Sequence, residues 1–240
     1  MKPLVLVHGY FGGSLQWAGQ VDAFCDWFQV ITPDLPGFGN NNAMTTPESI
    51  RGLALYVLDE LDKLDVHRFH LLGHSMGGMI AQEMIAIAPE RVDQLVLYGT
   101  GPVGLMPGRF ETIDESRREL KDKGVEVTGR RIAATWFQNG KSGKGYETCA
   151  KLANQASLQA GLAGLTAMET WSGVASLSKI TSPTLVLWGD GDRAYLWEQP
   201  EQLWREIDKA NLAVIPGCSH AVHLEKPELF NAMLKDFFVR

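Results

Sequence analysis

Phe69-His70-Leu71-Leu72-Gly73-His74-Ser75-Met76-Gly77-Gly78 changes character twice within one short stretch. Residues 69–72 are apolar, of strand length, and end at Gly73, which reads as a buried strand. Residues 76–88 are almost wholly apolar at helical length, as suits a helix packed deep against a sheet. Between them the pattern is Gly-x-Ser-x-Gly. A turn this tight between strand and helix forces Ser75 into strained backbone angles, and small flanking residues are needed to avoid clashes. The serine oxygen is then expected to project from the C-terminal edge of a sheet, at a helix N-terminus.

The same alternation extends outward along the chain. Apolar runs at 4–7, 28–32, 95–98, 184–188 and 212–215 are short and bounded by Gly, Pro or Asp. Continuous rather than alternating apolarity predicts strands covered on both faces, as in a parallel sheet. Residues 49–64 place Ile50, Leu53, Val57, Leu61 and Leu64 on one helical stripe, with Thr46-Pro47-Glu48 as the expected N-cap and first turn. A last helix over 227–239 opens with Pro227. This β-α-β-α order predicts an α/β fold with right-handed crossovers. Residues 101–182 break the rhythm, with helical patterns at 112–123, 130–137, 147–155 and 157–171 and no convincing buried strand. They are expected to form a helical cap inserted in a core of residues 1–100 and 183–240.

A serine hydroxyl needs a base, itself oriented by a carboxylate. His220 follows the final strand in Pro216-Gly217-Cys218-Ser219-His220 and is the expected base; His223 reads as a loop or helix-start residue. The acid is expected after the strand at 184–188, where Gly189-Asp190-Gly191-Asp192-Arg193 offers two carboxylates. Asp192 is the choice, with Asp190 as a turn-former bonding its own backbone. Acyl transfer also needs donors for a developing oxyanion, each contributing on the order of 3 kcal/mol. The Met76 amide is one; the Tyr10 amide, or that of Phe11, in the loop after the first strand is the other. His8 is expected to be structural, bonding loop backbone. A metal pair from His220 and His223 lacks a third ligand.

The residues together resemble the α/β-hydrolase superfamily. The matching pieces are His8-Gly9, Asp34-Leu35-Pro36-Gly37-Phe38-Gly39, the elbow Gly73 to Gly78, Pro183-Thr184-Leu185-Val186-Leu187-Trp188-Gly189 with Asp192, and Gly217 with His220. Five ordered motifs cover nearly the whole chain. The resemblance implies a mainly parallel sheet of about six strands, without the family's usual preceding hairpin, a Ser75–His220–Asp192 catalytic triad and an inserted cap. Serine in the elbow separates the chain from haloalkane dehalogenases and epoxide hydrolases, which place Asp there. Other features look like esterases, enol-lactonases and meta-cleavage-product hydrolases, although Ala221 stands where the last group carries Trp.

The expected reaction is cleavage of a small, largely apolar carboxylic ester or lactone through an acyl-enzyme. C–C hydrolysis of a vinylogous diketone, or ligand binding by a retained triad, is the alternative. Phe11, His74, Phe110, Trp136, Met168 and Trp171 are the expected pocket residues, and Arg109, Arg117, Arg118, Arg130 and Arg131 are candidates for a substrate carboxylate. Across 240 residues, 45% are hydrophobic, 21% charged, and the net charge is −6. These values exclude a disordered chain, a coiled coil and a general nucleic-acid face. The apolar run at 4–7 is too short for a signal peptide, which needs about 7–15 such residues, and no stretch is long enough to cross a membrane. Three widely separated cysteines suit reduced thiols in the cytoplasm. The expected partner is a small-molecule substrate, with no cofactor, metal, nucleic acid or membrane; no motif bears on oligomeric state.

Overall fold

The computed structural model describes residues 1–239, and each apolar run becomes a strand. β1 (Lys2–Val7), β2 (Phe28–Ile31), β3 (Phe69–His74), β4 (Val92–Tyr98), β5 (Thr184–Gly189) and β6 (Asn211–Ile215) lie in the order β2-β1-β3-β4-β5-β6. Every neighbouring pair runs parallel, with Val7 beside Gly73 and His74 beside Tyr98. The result is the expected α/β architecture, a six-stranded parallel sheet with flanking helices.

Parallel strands need crossover connections. Here these include α1 (Ala18–Phe24), α2 (Ile50–Lys63) and α3 (Met76–Ile87); α4 (Ile113–Thr135), α5 (Tyr146–Gln155) and α6 (Leu158–Glu169) all fall between β4 and β5. After β5 come α7 (Glu198–Glu206), α8 (Val222–Glu225) and α9 (Pro227–Phe238). The continuous apolar runs divide between two faces, as the pleat requires. Val5, Val7, Leu71, Leu95, Leu97 and Val186 share a core with Leu53, Val57, Met79 and Ile80 from α2 and α3. Leu4, Leu6, Leu72, Val96, Leu185 and Leu187 pack on the other face with Trp17, Phe24, Phe230 and Leu234. Each such aliphatic side chain contributes about 1.5–3 kcal/mol by leaving water.

Two local expectations need correction. The N-cap of α2 is Ser49, whose hydroxyl accepts from the Gly52 amide. Thr46 instead donates to the Pro36 carbonyl at 2.8 Å, so Pro47 precedes the helix rather than opening it. The patterns at 112–123 and 130–137 are joined in α4 across a kink at Gly124, whose φ of 76° interrupts helical geometry. The segment carrying α4 to α6 shares the first core: Leu120, Ile132, Ala153 and Leu165 pack with Met76 and Met79. No helix among the described residues is long and apolar enough to cross a membrane. The cysteines are unpaired; Cys149 and Cys218 are buried and Cys25 is exposed.

Candidate active site

Ser75 lies between β3 and α3 with φ 58° and ψ −123°, a conformation that L-residues rarely adopt. Two constraints hold it there. Its N–H donates to the Tyr98 carbonyl at 3.0 Å, and the glycines around it permit very close backbone approach. A Cβ on Gly73 would stand 2.2 Å from the Gly77 carbonyl oxygen, and one on Gly77 2.3 Å from that of Val7. A Cβ on Gly9 would stand 2.8 Å from Ser75 Cβ, so the loop after β1 lies directly against the serine. The N–H groups of Met76, at the first turn of α3, and of Tyr10 donate to no described residue. First-turn helix amides lack intrahelical partners in any case.

His220 and Asp192 meet on the other side of Ser75. His220 Nδ1 is 2.7 Å from Asp192 Oδ2, and the two residues are 2% and 4% exposed. Asp192 Oδ1 accepts from the Ala194 and Tyr195 amides at 2.8 and 3.1 Å, which fixes the carboxylate plane. Gly99, with φ 50°, lies beneath the pair; a Cβ there would be 3.2 Å from His220 Nδ1. Asp190 does not bond its own turn. It accepts from the Gly217 amide at 2.7 Å and so ties the β5 loop to the loop carrying His220.

The backbone of the His220 loop is anchored from several directions. The His220 carbonyl accepts from Tyr98 Oη at 2.8 Å and from His74 Nε2 at 3.1 Å. Tyr98 Oη in turn accepts from His223 Nδ1 at 3.0 Å. Glu225, which no motif singles out, accepts from the Ser219 amide at 2.6 Å and from the Gln138 amide at 2.7 Å. It thereby joins the His220 loop to the stretch following α4. His8 acts on the opposite loop: Nε2 accepts from the Leu35 amide at 3.0 Å and Nδ1 donates to the Gly9 carbonyl at 2.8 Å. Asp34 holds the same loop by accepting from the Ser14 amide at 2.6 Å and from Asn40 Nδ2 at 2.8 Å. Burial keeps His8, His74 and His223 below the ordinary histidine range, with His223 pushed down to about 3. All three therefore remain neutral scaffolding at neutral pH.

Ser75 and His220 open into a narrow cavity that Phe110, Trp136 and Met168 line. Tyr10, Met106, Arg109, Ile132, Ala194 and Tyr195 complete its wall. Phe11, His74 and Trp171 are not among its lining residues. Phe11 is fully buried, its ring 4.2 Å from that of Tyr10. His74 lines a second cavity, which Ser75 and His220 also line, together with Gln16, Cys149 and His223. Trp171 faces α3, where its indole N–H donates to Glu83 at 3.3 Å. Of the candidate arginines, Arg109 alone lines the serine's cavity among the described residues. Arg117, Arg130 and Arg131 pair with Glu169, Glu147 and Glu111, and Arg118 is exposed.

A family model described as alpha/beta hydrolase fold matches residues 2–227. A 2-hydroxy-6-oxononadienedioate/2-hydroxy-6-oxononatrienedioate hydrolase of Paraburkholderia phymatum is 31% identical over 98% of this chain and 86% of its own. A protein of Pseudomonas savastanoi pv. phaseolicola, provisionally named carbamate hydrolase RutD, is 27% identical over 98% of this chain and 92% of its own. The crystal structure of an enol-lactonase from Burkholderia xenovorans LB400 superposes with a TM-score of 0.91 at 22% identity, covering 100% of this chain and 92% of that one. The named homologues are hydrolases.

Proposed function

The chain belongs to the alpha/beta hydrolase fold family, and from that premise we propose that it is a serine hydrolase cleaving a small, largely apolar carboxylic ester or lactone. The observation that carries this reading is the buried Asp192–His220 hydrogen bond, whose histidine shares one cavity with the strained Ser75. In the proposed reaction, Ser75 Oγ attacks the acyl carbon while His220 Nε2 takes its proton. Asp192 holds Nδ1–H, fixing the tautomer and stabilising the imidazolium that forms. The free amides of Tyr10 and Met76 receive the oxyanion. The proton on His220 then leaves with the alcohol, and water, activated by the same ring, releases the acid. The helices between β4 and β5 serve as the cap, with Phe110, Trp136 and Met168 contributing apolar wall.

Ser75→Ala is expected to lower turnover of a short p-nitrophenyl ester by at least about 10³-fold, as when a nucleophile is lost from a complete triad, with an unchanged circular-dichroism spectrum. Full activity in that variant would exclude the mechanism. Labelling of Ser75 by a fluorophosphonate separates a working nucleophile from a ligand-binding protein that keeps the triad.

A second reading, hydrolysis of a C–C bond in a meta-cleavage-type vinylogous diketone, is favoured by Arg109. Its guanidinium lies 4.4 Å from the Phe110 ring centroid and gives an otherwise largely apolar cavity a cation suited to a carboxylate. The Paraburkholderia relative is named for a dioate. Faster turnover of a ring-fission product than of any ester or lactone would establish this reading in place of the first.

A further inference from the structure

Tyr195 is held in place more firmly than packing alone requires. Its N–H donates to Asp192 Oδ1 at 3.1 Å, and its carbonyl accepts from Trp188 Nε1 at 2.8 Å. Its ring stacks on that of His220, with centroids 5.6 Å apart and planes 16° from parallel. The residue is 1% exposed, yet its hydroxyl has no hydrogen-bond partner. The Ser75 and Thr100 hydroxyls are its polar neighbours, but neither completes a bond of ordinary geometry. A buried hydroxyl left unpaired is costly, and this one belongs to a side chain lining the cavity of Ser75.

The sheet order decides which reacting atom this hydroxyl meets. β1, carrying Gly9 and Tyr10, flanks β3 on one side; β4 and β5 follow on the other. The oxyanion donor of the β1 loop therefore approaches Ser75 from one side, while Tyr195, carried by the loop after β5, approaches from the side of His220. The departing group must stand on that second side to receive its proton from His220.

The geometry points to Tyr195 as a further catalytic residue, its phenol O–H donating a hydrogen bond to the leaving-group oxygen as the acyl C–O bond breaks. This role rests on the serine-hydrolase reading above. Ser75 Oγ bonds to the acyl carbon and its proton passes to His220 Nε2. The C–O bond then breaks, its electron pair goes to the leaving oxygen, and the proton on Nε2 follows. Tyr195 keeps its own proton throughout. Burial pushes the phenol above its ordinary range, so it remains a donor at neutral pH.

The test compares ethyl butyrate, whose alkoxide is a poor leaving group, with p-nitrophenyl butyrate, whose phenolate departs unaided. In Tyr195→Phe, kcat/KM, which reports acylation, is expected to fall roughly 30-fold for the ethyl ester and less than about 3-fold for the nitrophenyl ester. Fluorophosphonate labelling of Ser75 should persist and the melting temperature should not fall, because the lost hydroxyl had no partner. Equal losses on both esters, or no loss on either, overturn the role. If Tyr195→Phe fails to label, the wild-type dependence of kcat/KM on leaving-group pKa decides: shallow supports the role, steep overturns it. Ser75→Ala is assayed alongside. Retained turnover there overturns the serine mechanism and this role together, whereas a dead Ser75→Ala with no ester split overturns the role of Tyr195 alone.

Discussion

Gly99 shows how much the proposed chemistry depends on residues that perform none of it. Its φ of 50° and its place beneath the Asp192–His220 pair leave no comfortable room for a side chain. Gly99→Ala imposes a left-handed conformation costing about 1–2 kcal/mol and sets a methyl group against the imidazole. The expected outcome is a loss of about 10-fold or more in kcat on a probe ester, with KM little changed and a fall of a few degrees in melting temperature. Steady-state kinetics and a thermal melt check this; wild-type kcat would show that the pair does not depend on the space below it. The proposed nucleophile, acid and base were legible because their motifs are local: a serine between glycines, an acid after a strand, a histidine after the last one. Tyr195, Gly99 and Glu225 were not, since each acts through contacts with distant residues. Nothing in Asp192-Arg193-Ala194-Tyr195 distinguishes a tyrosine that packs from one whose hydroxyl enters a cavity. A lone glycine ending β4 was the only local hint for Gly99.

At the level of elements, the strands were readable because a parallel sheet buries both faces, which leaves an apolar run with little ambiguity. The short helix α1 and the single turn of α8 are too brief to repeat an apolar stripe, and the N-cap of α2 is ambiguous in sequence because Thr46 and Ser49 are both competent caps. Their partners decide: Thr46 is drawn to the Pro36 carbonyl, which leaves Ser49 to the helix. α8 has more influence than its length suggests. Its Glu225 accepts from the amides of Ser219 and Gln138, so Glu225→Ala removes both bonds and leaves the part-buried Ser219 amide without a partner, at about 1.5–3 kcal/mol for a bond to a charged group. We expect a lower melting temperature and a drop in kcat of about 10-fold, measured by calorimetry and ester kinetics. Restoration of kcat but not of full stability by Glu225→Gln would mark geometry rather than charge as what the loop needs. An unaffected kcat in Glu225→Ala would show the loop to be fixed without it.

Over the whole molecule, the buried histidines make stability depend on pH. Burial lowers His8, His74, His223 and His70, the last to about 4. The folded chain keeps them neutral, while the unfolded chain protonates them near the ordinary value of about 6.5. Their stabilising contribution is therefore complete above about pH 6.5 and is lost as pH falls towards 4, at about 1.4 kcal/mol per pH unit for each histidine that titrates only when unfolded. The melting temperature is expected to drop by roughly 10–30 °C between pH 7 and pH 5, and His70→Gln should flatten that slope; a constant melting temperature contradicts this account. The all-parallel sheet has a kinetic consequence as well. Every strand pairing closes a long loop, and Tyr10, Ser75, Asp192 and His220 come from four separate strand ends, so no fragment of the sheet brings them together. Topologies dominated by such distant pairings fold slowly, and on dilution from denaturant the helical signal should return well before hydrolase activity, which must await the last strand.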